Sequence, residues 1–132
     1  MSSHRFYPTE RLKSRARIQS LFAQGQSLVQ YPLRVVWELH VGQAAVLPAA
    51  AQVAFSVPKR RYRKAVARHL LRRRMQEAYR LRKADFLAQL STHDAQVSLM
   101  ILYIGKEALP YARVERAMDR ALAKLLHKSN LA

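Results

Sequence analysis

Apolar residues along the chain recur with a period of about 3.6 or of about 2, and each switch between the two marks an element. Residues 1–8 read as a flexible polar arm ending at Pro8, with Thr9 as a helix N-cap. Leu12, Ala16, Ile18, Leu21 and Phe22 then recur at helical spacing up to Gly25, which reads as a C′ residue. Leu33, Val35, Trp37 and Leu39 alternate with Arg34, Val36, Glu38 and His40, the pattern of a half-buried strand over 33–40. A connector with Gly42, Pro48 and several alanines follows. Residues 52–57 form a second strand, with Val53, Phe55 and Val57 on one face, closed by Pro58. After a turn through 59–64, a helix runs from Ala65 to about Ser91. Ala67, Leu70, Leu71, Met75, Ala78 and Leu81 share its apolar face, and Arg74 leans toward that side with a stem able to lie on the core. Residues 97–104, VSLMILYI, are apolar almost throughout, as in a central strand buried on both faces. A last helix, about 111–127, turns Val114, Met118, Ala121, Leu122 and Leu125 inward and Arg113, Arg116, Arg120 and Lys124 outward. The order is helix, strand, strand, helix, strand, helix: an α+β chain of 132 residues, sized for a single domain, with a β-helix-β crossover at its centre.

Charge turns this outline into a functional question. The chain carries 24 Lys and Arg against 8 Asp and Glu, a net charge of +16. Half of the cations fall between Lys59 and Lys83, with Glu77 the one acid among them. The outer face of the central helix is built from Arg68, His69, Arg72, Arg73, Gln76 and Arg80, and the turn before it adds Lys59, Arg60, Arg61, Arg63 and Lys64. A run of one sign repels itself and is costly unless a polyanion faces it. Arginine outnumbers lysine three to one in this stretch, and its planar fork suits phosphate oxygens and base faces. Nucleic acid is the expected partner, ahead of a membrane surface or an acidic protein. His69 reads equally as an RNA contact or as a solvated helix residue. Half the residues are apolar, so disorder is not expected. No segment has the apolar length of a signal peptide or a membrane span, and a soluble, cytoplasmic protein is expected.

The chemistry that is missing narrows the function classes. There is no cysteine, hence no thiolate nucleophile or cysteine-based zinc site. Glu10, Glu38, Glu77, Asp85, Asp94, Glu107, Glu115 and Asp119 are scattered singly, with no close pair to hold Mg²⁺ for a nuclease. The five histidines lack metal-ligand spacing, and there is no Gly-rich phosphate loop. No catalytic residue and no metal ligand is expected in the protein itself. A DNA-binding module using helix 65–82 would want base-reading side chains at one helix end and a dimer surface, and neither is identifiable.

Four segments, taken together, resemble the protein subunit of bacterial ribonuclease P over nearly the whole chain. They are FYPTERLKSR with the basic helix to Gly25, the strand opening YPLRVVW, the strand and turn FSVPKRRYRKAV, and the helix ARHLLRRRMQEAYRL. In the family's Arg-Asn-Arg-x-x-Lys-Arg motif, Arg68 matches the first arginine and Arg72 and Arg73 the Lys-Arg pair. His69 stands in place of the asparagine, Leu70 in place of the second arginine, and Gln76 where an arginine is usual. The resemblance implies a small mixed sheet of about four strands with three helices, of the ribosomal-protein-S5-domain-2-like kind. Its crossover would be left-handed, and a further short strand would lie around Ser27–Val29. It also implies a division of labour. The RNA subunit would hydrolyse precursor tRNA with Mg²⁺ bound to the RNA, and the protein would bind no cofactor. The protein's basic helix and turn would face the RNA subunit, and a groove beside the first helix would take the single-stranded 5′ leader. Ile18 and Phe22, which alone read as core, match leader-contact positions, and Trp37 would join them if it faces the groove. Precursor tRNA and the RNA subunit are the expected partners, with no DNA, membrane or small-molecule substrate. A basic RNA-binding or ribosome-associated domain without a role in cleavage is the alternative.

Overall fold

The computed structural model describes residues 6–42 and 46–131. In chain order the elements are a single 3-10 turn at Pro8–Glu10, α1 at Arg15–Gln24, β1 at Gln26–Gln30, β2 at Leu33–Val41, β3 at Ala51–Ser56, α2 at Ala65–Thr92, β4 at Ala95–Tyr103 and α3 at Tyr111–Lys128. The strands form one sheet in the order β1-β2-β4-β3. β1–β2 and β2–β4 pair antiparallel and β3–β4 parallel, so α2 is the crossover between parallel neighbours. This is the expected four-stranded α+β arrangement, including the short strand before β2.

The apolar run in β4 follows from its place. It lies between β2 and β3, and Val97, Leu99, Ile101 and Tyr103 are fully buried under α2 and α3. Met100, on the opposite face, is buried with Leu12, Leu21 and Val36 under α1. The sheet is therefore covered fully on one side and only in part on the other. The partial cover creates the groove described below.

The N-terminal segment departs from the expected single helix beginning at Thr9. Glu10 turns inward: its carboxylate accepts from Lys83 Nζ at 2.8 and 3.0 Å and from the Tyr7 backbone N–H at 2.7 Å. Leu12 N–H then donates to Val53 O at 3.0 Å, extending the edge of β3. These tertiary contacts interrupt the helix, and α1 starts only at Arg15, where Ser14 Oγ accepts from Arg17 N–H at 3.3 Å. The expected flexible arm over 1–8 is also corrected where it is described. Phe6 packs edge-on against Phe55 and Tyr79, with ring centroids 6.0 and 6.2 Å away. Residues 1–5 lie outside the described residues, as do 43–45 of the alanine-rich connector.

Gly25 ends α1, though not as a left-handed C′ residue, since its φ is −71°. A Cβ there would collide with the Leu21 carbonyl oxygen and lie 3.0 Å from that of Trp37. Close approach to the last turn of its own helix, with β2 tight behind it, is what requires glycine. On α2 the buried positions are Leu71, Met75, Ala78, Tyr79, Lys83, Phe86 and Leu90. Leu70, expected on this face, is 45% exposed, and Leu81 is only half-buried. The face is centred nearer Tyr79 because the N-terminal segment packs there.

Tyr79 carries a cost within that cluster. Its hydroxyl is buried without a hydrogen-bond partner, and burial, followed by the nearby Glu10 carboxylate, pushes its pKa well up. Tyr79→Phe should leave the stability unchanged or raise it, by up to about 1–3 kcal/mol of relieved desolvation. A clear fall in thermal denaturation would show that the hydroxyl has a stabilising role.

Candidate nucleic-acid interface

The cationic surface begins where β3 ends. Val57 is buried and Pro58 stops the strand, so the chain turns outward through Lys59, Arg60, Arg61, Tyr62, Arg63 and Lys64 before α2 starts. The side chains of Lys59, Arg60, Arg61, Arg63 and Lys64 are all exposed. Two arginines shape the turn rather than simply projecting from it. Arg68 Nη1 donates to the carbonyls of Tyr62 and Arg63, both at 2.8 Å, and Arg61 Nη1 donates to Ile104 O at 3.1 Å. Tyr62 Oη donates to Gly105 O at 2.7 Å, tying the turn to the end of β4. Arginine has five donors, so Arg61 and Arg68 each retain some for a ligand.

Along α2 the expected outer residues divide by environment. Arg73 and His69 are exposed and Arg72 is half-exposed; neither Arg72 nor Arg73 has a side-chain partner among the described residues. Arg80 donates through Nε and Nη2 to Glu77 at 3.1 and 2.7 Å, and this hydrogen bond raises its pKa. Gln76 looks sideways into a hollow of about 210 Å³ with Arg11, Lys13 and Ala54 at the β3 edge. Arg74 lies against the fold as expected and donates to Leu109 O at 2.6 Å. Where the family motif has an arginine, exposed Leu70 and Val66 instead line a hollow of about 400 Å³ with His69 and Arg73.

The second feature is the uncovered part of the sheet. α1 presents Leu21 to the sheet, while one flank engages the far end of the groove face. Ser20 Oγ donates to Glu38 at 3.0 Å, and Arg17 Nη2 donates to Val46 O at 3.2 Å. Ile18 and Phe22, about 140° around the helix from those two on average, form the other flank. Ile18 packs against the small cluster beneath α1, whereas Phe22 is 57% exposed. Phe22 is therefore not core. The strand registers place Val29, Arg34, Leu102 and Ser56 in one row across all four strands, on the face that carries α1. Val29 and Arg34 are exposed and Leu102 and Ser56 half-buried, so this row is an open floor beside Ile18 and Phe22.

Trp37 does not reach this floor. It is fully buried on the opposite face, in the core with α2 and α3, and its Nε1 donates to Ser129 Oγ at 3.2 Å. Strand alternation puts Trp37 with Leu33 and Val35, and those residues face the two long helices. Trp37, expected to join the leader contacts if it faced the groove, is instead a core residue. Arg34 is the residue that sequence reasoning passed over. It shares a face with Val36, which α1 covers, and that alternation was the available signal.

Among the described residues no group of three or more His, Asp or Glu could hold a metal ion, and no helix is long and apolar enough to cross a membrane. The most buried acid, Glu10, is engaged with Lys83 in the interior. Cationic crossover helix, basic turn and open sheet floor together define an RNA-binding protein of the small α+β class. The family described as Ribonuclease P matches residues 6–126. The ribonuclease P protein component of Porphyromonas gingivalis is 34% identical over 117 residues, spanning 89% of this chain and 83% of that protein. The chain belongs to the ribonuclease P protein family, the protein part of an endoribonuclease that processes tRNA. Solved structures of the same fold include two RNase P proteins. The RNase P protein of Staphylococcus aureus has a TM-score of 0.68 at 15% identity, covering 88% of this chain and 94% of that one. That of Thermotoga maritima has 0.63 at 20% identity, covering 90% and 96%.

Proposed function

We propose that α2 and the 59–64 turn bind the RNA subunit of ribonuclease P, while the floor beside Ile18 and Phe22 receives the 5′ leader of precursor tRNA. The RNA subunit, with Mg²⁺ held by RNA, performs the hydrolysis in the cytoplasm, and the protein supplies affinity and position. One observation carries the reading: unpaired cations on α2 and an open aromatic-flanked floor coexist with acids that are scattered or engaged internally. Phosphate contacts from Arg72, Arg73 and the turn would give affinity, and a base stacked on Phe22 would tolerate any leader sequence. Arg34 would meet the leader's backbone from the floor.

Reconstitution tests this. The protein, combined with a bacterial ribonuclease P RNA at low Mg²⁺, should restore cleavage of precursor tRNA to give the mature 5′ end. Binding without restored cleavage would favour the RNA-binding domain with no part in cleavage. His69→Ala, at saturating protein and Mg²⁺, should leave the cleavage step within a few-fold of the unmodified protein. A loss of about a thousandfold with binding intact is the size expected for removing a general acid or base, and would move chemistry onto the protein.

Phe22→Ala is the matching test of the floor. Losing a stacking platform worth about 1–3 kcal/mol should weaken precursor tRNA with a leader of several nucleotides by roughly tenfold. Mature tRNA, which has no leader, should bind as before. Because Phe22 is exposed, its truncation should change stability by no more than about 0.5 kcal/mol. Equal weakening of both RNAs would remove Phe22 from the leader path.

A further inference from the structure

A second cationic face lies on α3. At 100° per residue, Arg113, Arg116, Arg120 and Lys124 fall within about 80° of one another, along about 17 Å of helix. All four are exposed. The acids of this helix sit elsewhere: Glu115 and Asp119 turn toward α2, where Arg82 approaches them at 3.2 and 3.6 Å. The side chains of Arg113, Arg116 and Arg120 have no hydrogen bond or ion pair among the described residues. With Gln30, Tyr31 and Ala117 they line a polar hollow of about 240 Å³. Like charges at these spacings repel along a helix, and among the described residues no ion pair relieves these three.

Tyr31 makes this more than a solvated charge row. It is 50% exposed at the β1–β2 turn, and its hydroxyl accepts from the Lys106 backbone N–H at 3.3 Å, which fixes the ring beside the arginines. The loop that holds it is the one the basic turn grips, through Arg61 to Ile104 and Tyr62 to Gly105. Positive surface therefore continues from the 59–64 turn, past Lys106 and Tyr31, onto α3.

We propose that this α3 face is a second RNA-binding surface, in which Arg113, Arg116 and Arg120 take backbone phosphates and Tyr31 stacks an unpaired base. Continuity with the turn assigns it to the RNA subunit, since the leader floor lies on the other face of the sheet. The proposal rests on the reading that the chain assembles with that RNA. The protein's footprint then wraps around one end of the sheet instead of stopping at α2.

The test uses the full chain, a bacterial ribonuclease P RNA, and a salt series. Arg113→Ala, Arg116→Ala and Arg120→Ala together keep helix propensity, and circular dichroism melting checks the fold. This triple variant should lower the log–log salt slope of RNA-subunit binding by about two to three, the release expected for three phosphate contacts. Tyr31→Ala should weaken binding about tenfold, and Tyr31→Phe, which keeps the stacking ring but loses the hydroxyl tie to Lys106, should weaken it by less. Arg72→Ala/Arg73→Ala serves as the reference. If it weakens binding while the α3 and Tyr31 variants match the unmodified protein, the second face is overturned and the α2 reading stands. If only holoenzyme affinity for precursor tRNA falls, the assignment to the RNA subunit is overturned. If the unmodified protein neither binds the RNA nor restores cleavage, the functional reading itself fails.

Discussion

Replacing Lys83 with methionine is expected to destabilise the protein by about 3–5 kcal/mol, the cost of leaving one member of a buried ion pair without its partner. Lys83 is 3% exposed and Glu10 6%, and the ammonium lies 2.8 Å from the nearer carboxylate oxygen. Methionine keeps the length and apolar stem of the side chain but removes the charge. The Glu10 carboxylate then stays in the interior with the Tyr7 N–H and loses its counterion. The loss should extend beyond the pair, because Glu10 anchors the segment that carries Phe6 against Phe55 and Tyr79. Lys83→Met with Glu10→Leu removes both charges and should recover most of the stability, since apolar replacements of buried pairs are often neutral or better. Urea unfolding of the two single variants and the double variant measures the coupling. A single-variant loss below about 1 kcal/mol would mean that water reaches the pair.

Arg72→Ala with Arg73→Ala should lower the salt slope of RNA-subunit binding by about 1.5–2 units. Counterion release for two phosphate contacts corresponds to roughly a thirtyfold loss of affinity near 0.15 M salt. These two arginines are the informative pair because neither is engaged within the protein, whereas Arg80 is held by Glu77. Arg80→Ala should therefore cost less. Arg68→Ala is a poorer probe of contact, since it also frees the Tyr62 and Arg63 carbonyls and loosens the turn. Binding isotherms across a salt series measure all three. An unchanged slope for the double variant would leave Arg72 and Arg73 facing solvent in the complex.

What could be read from the sequence depended on how local its cause was. α2 and β4 are legible because each carries its own signal: a long helical period without Gly or Pro, and an apolar run that only a central strand can bury. The cationic turn and helix face are visible in composition alone. The break at Pro8–Glu10 is not, because its cause is Lys83, 73 residues away, and a proline followed by polar residues looks locally like a helix start. Trp37 shows a different limit. Alternation tells which residues of β2 share a face, but not which face receives α1 and which receives the two long helices. The same ambiguity hid Arg34. Leu70, an apolar residue within helical reach of the core face, reads as core from sequence, and its outward position appears only when the N-terminal segment shifts the packing centre toward Tyr79.

The place of β4 has a consequence for how the chain reaches this structure during synthesis. β4 is last of the four strands in sequence yet sits between β2 and β3, so the sheet has no middle until residue 103 has left the ribosome. Before then the β1–β2 hairpin has an open edge on β2, with Leu33, Val35 and Trp37 uncovered, a surface prone to wrong pairing. The core is not closed until later still, when Leu131 is buried and Ser129 meets the indole N–H of Trp37. Folding must therefore finish after synthesis of these segments rather than proceed strand by strand. Because Trp37 is the only tryptophan in the chain, its burial marks that final closure optically.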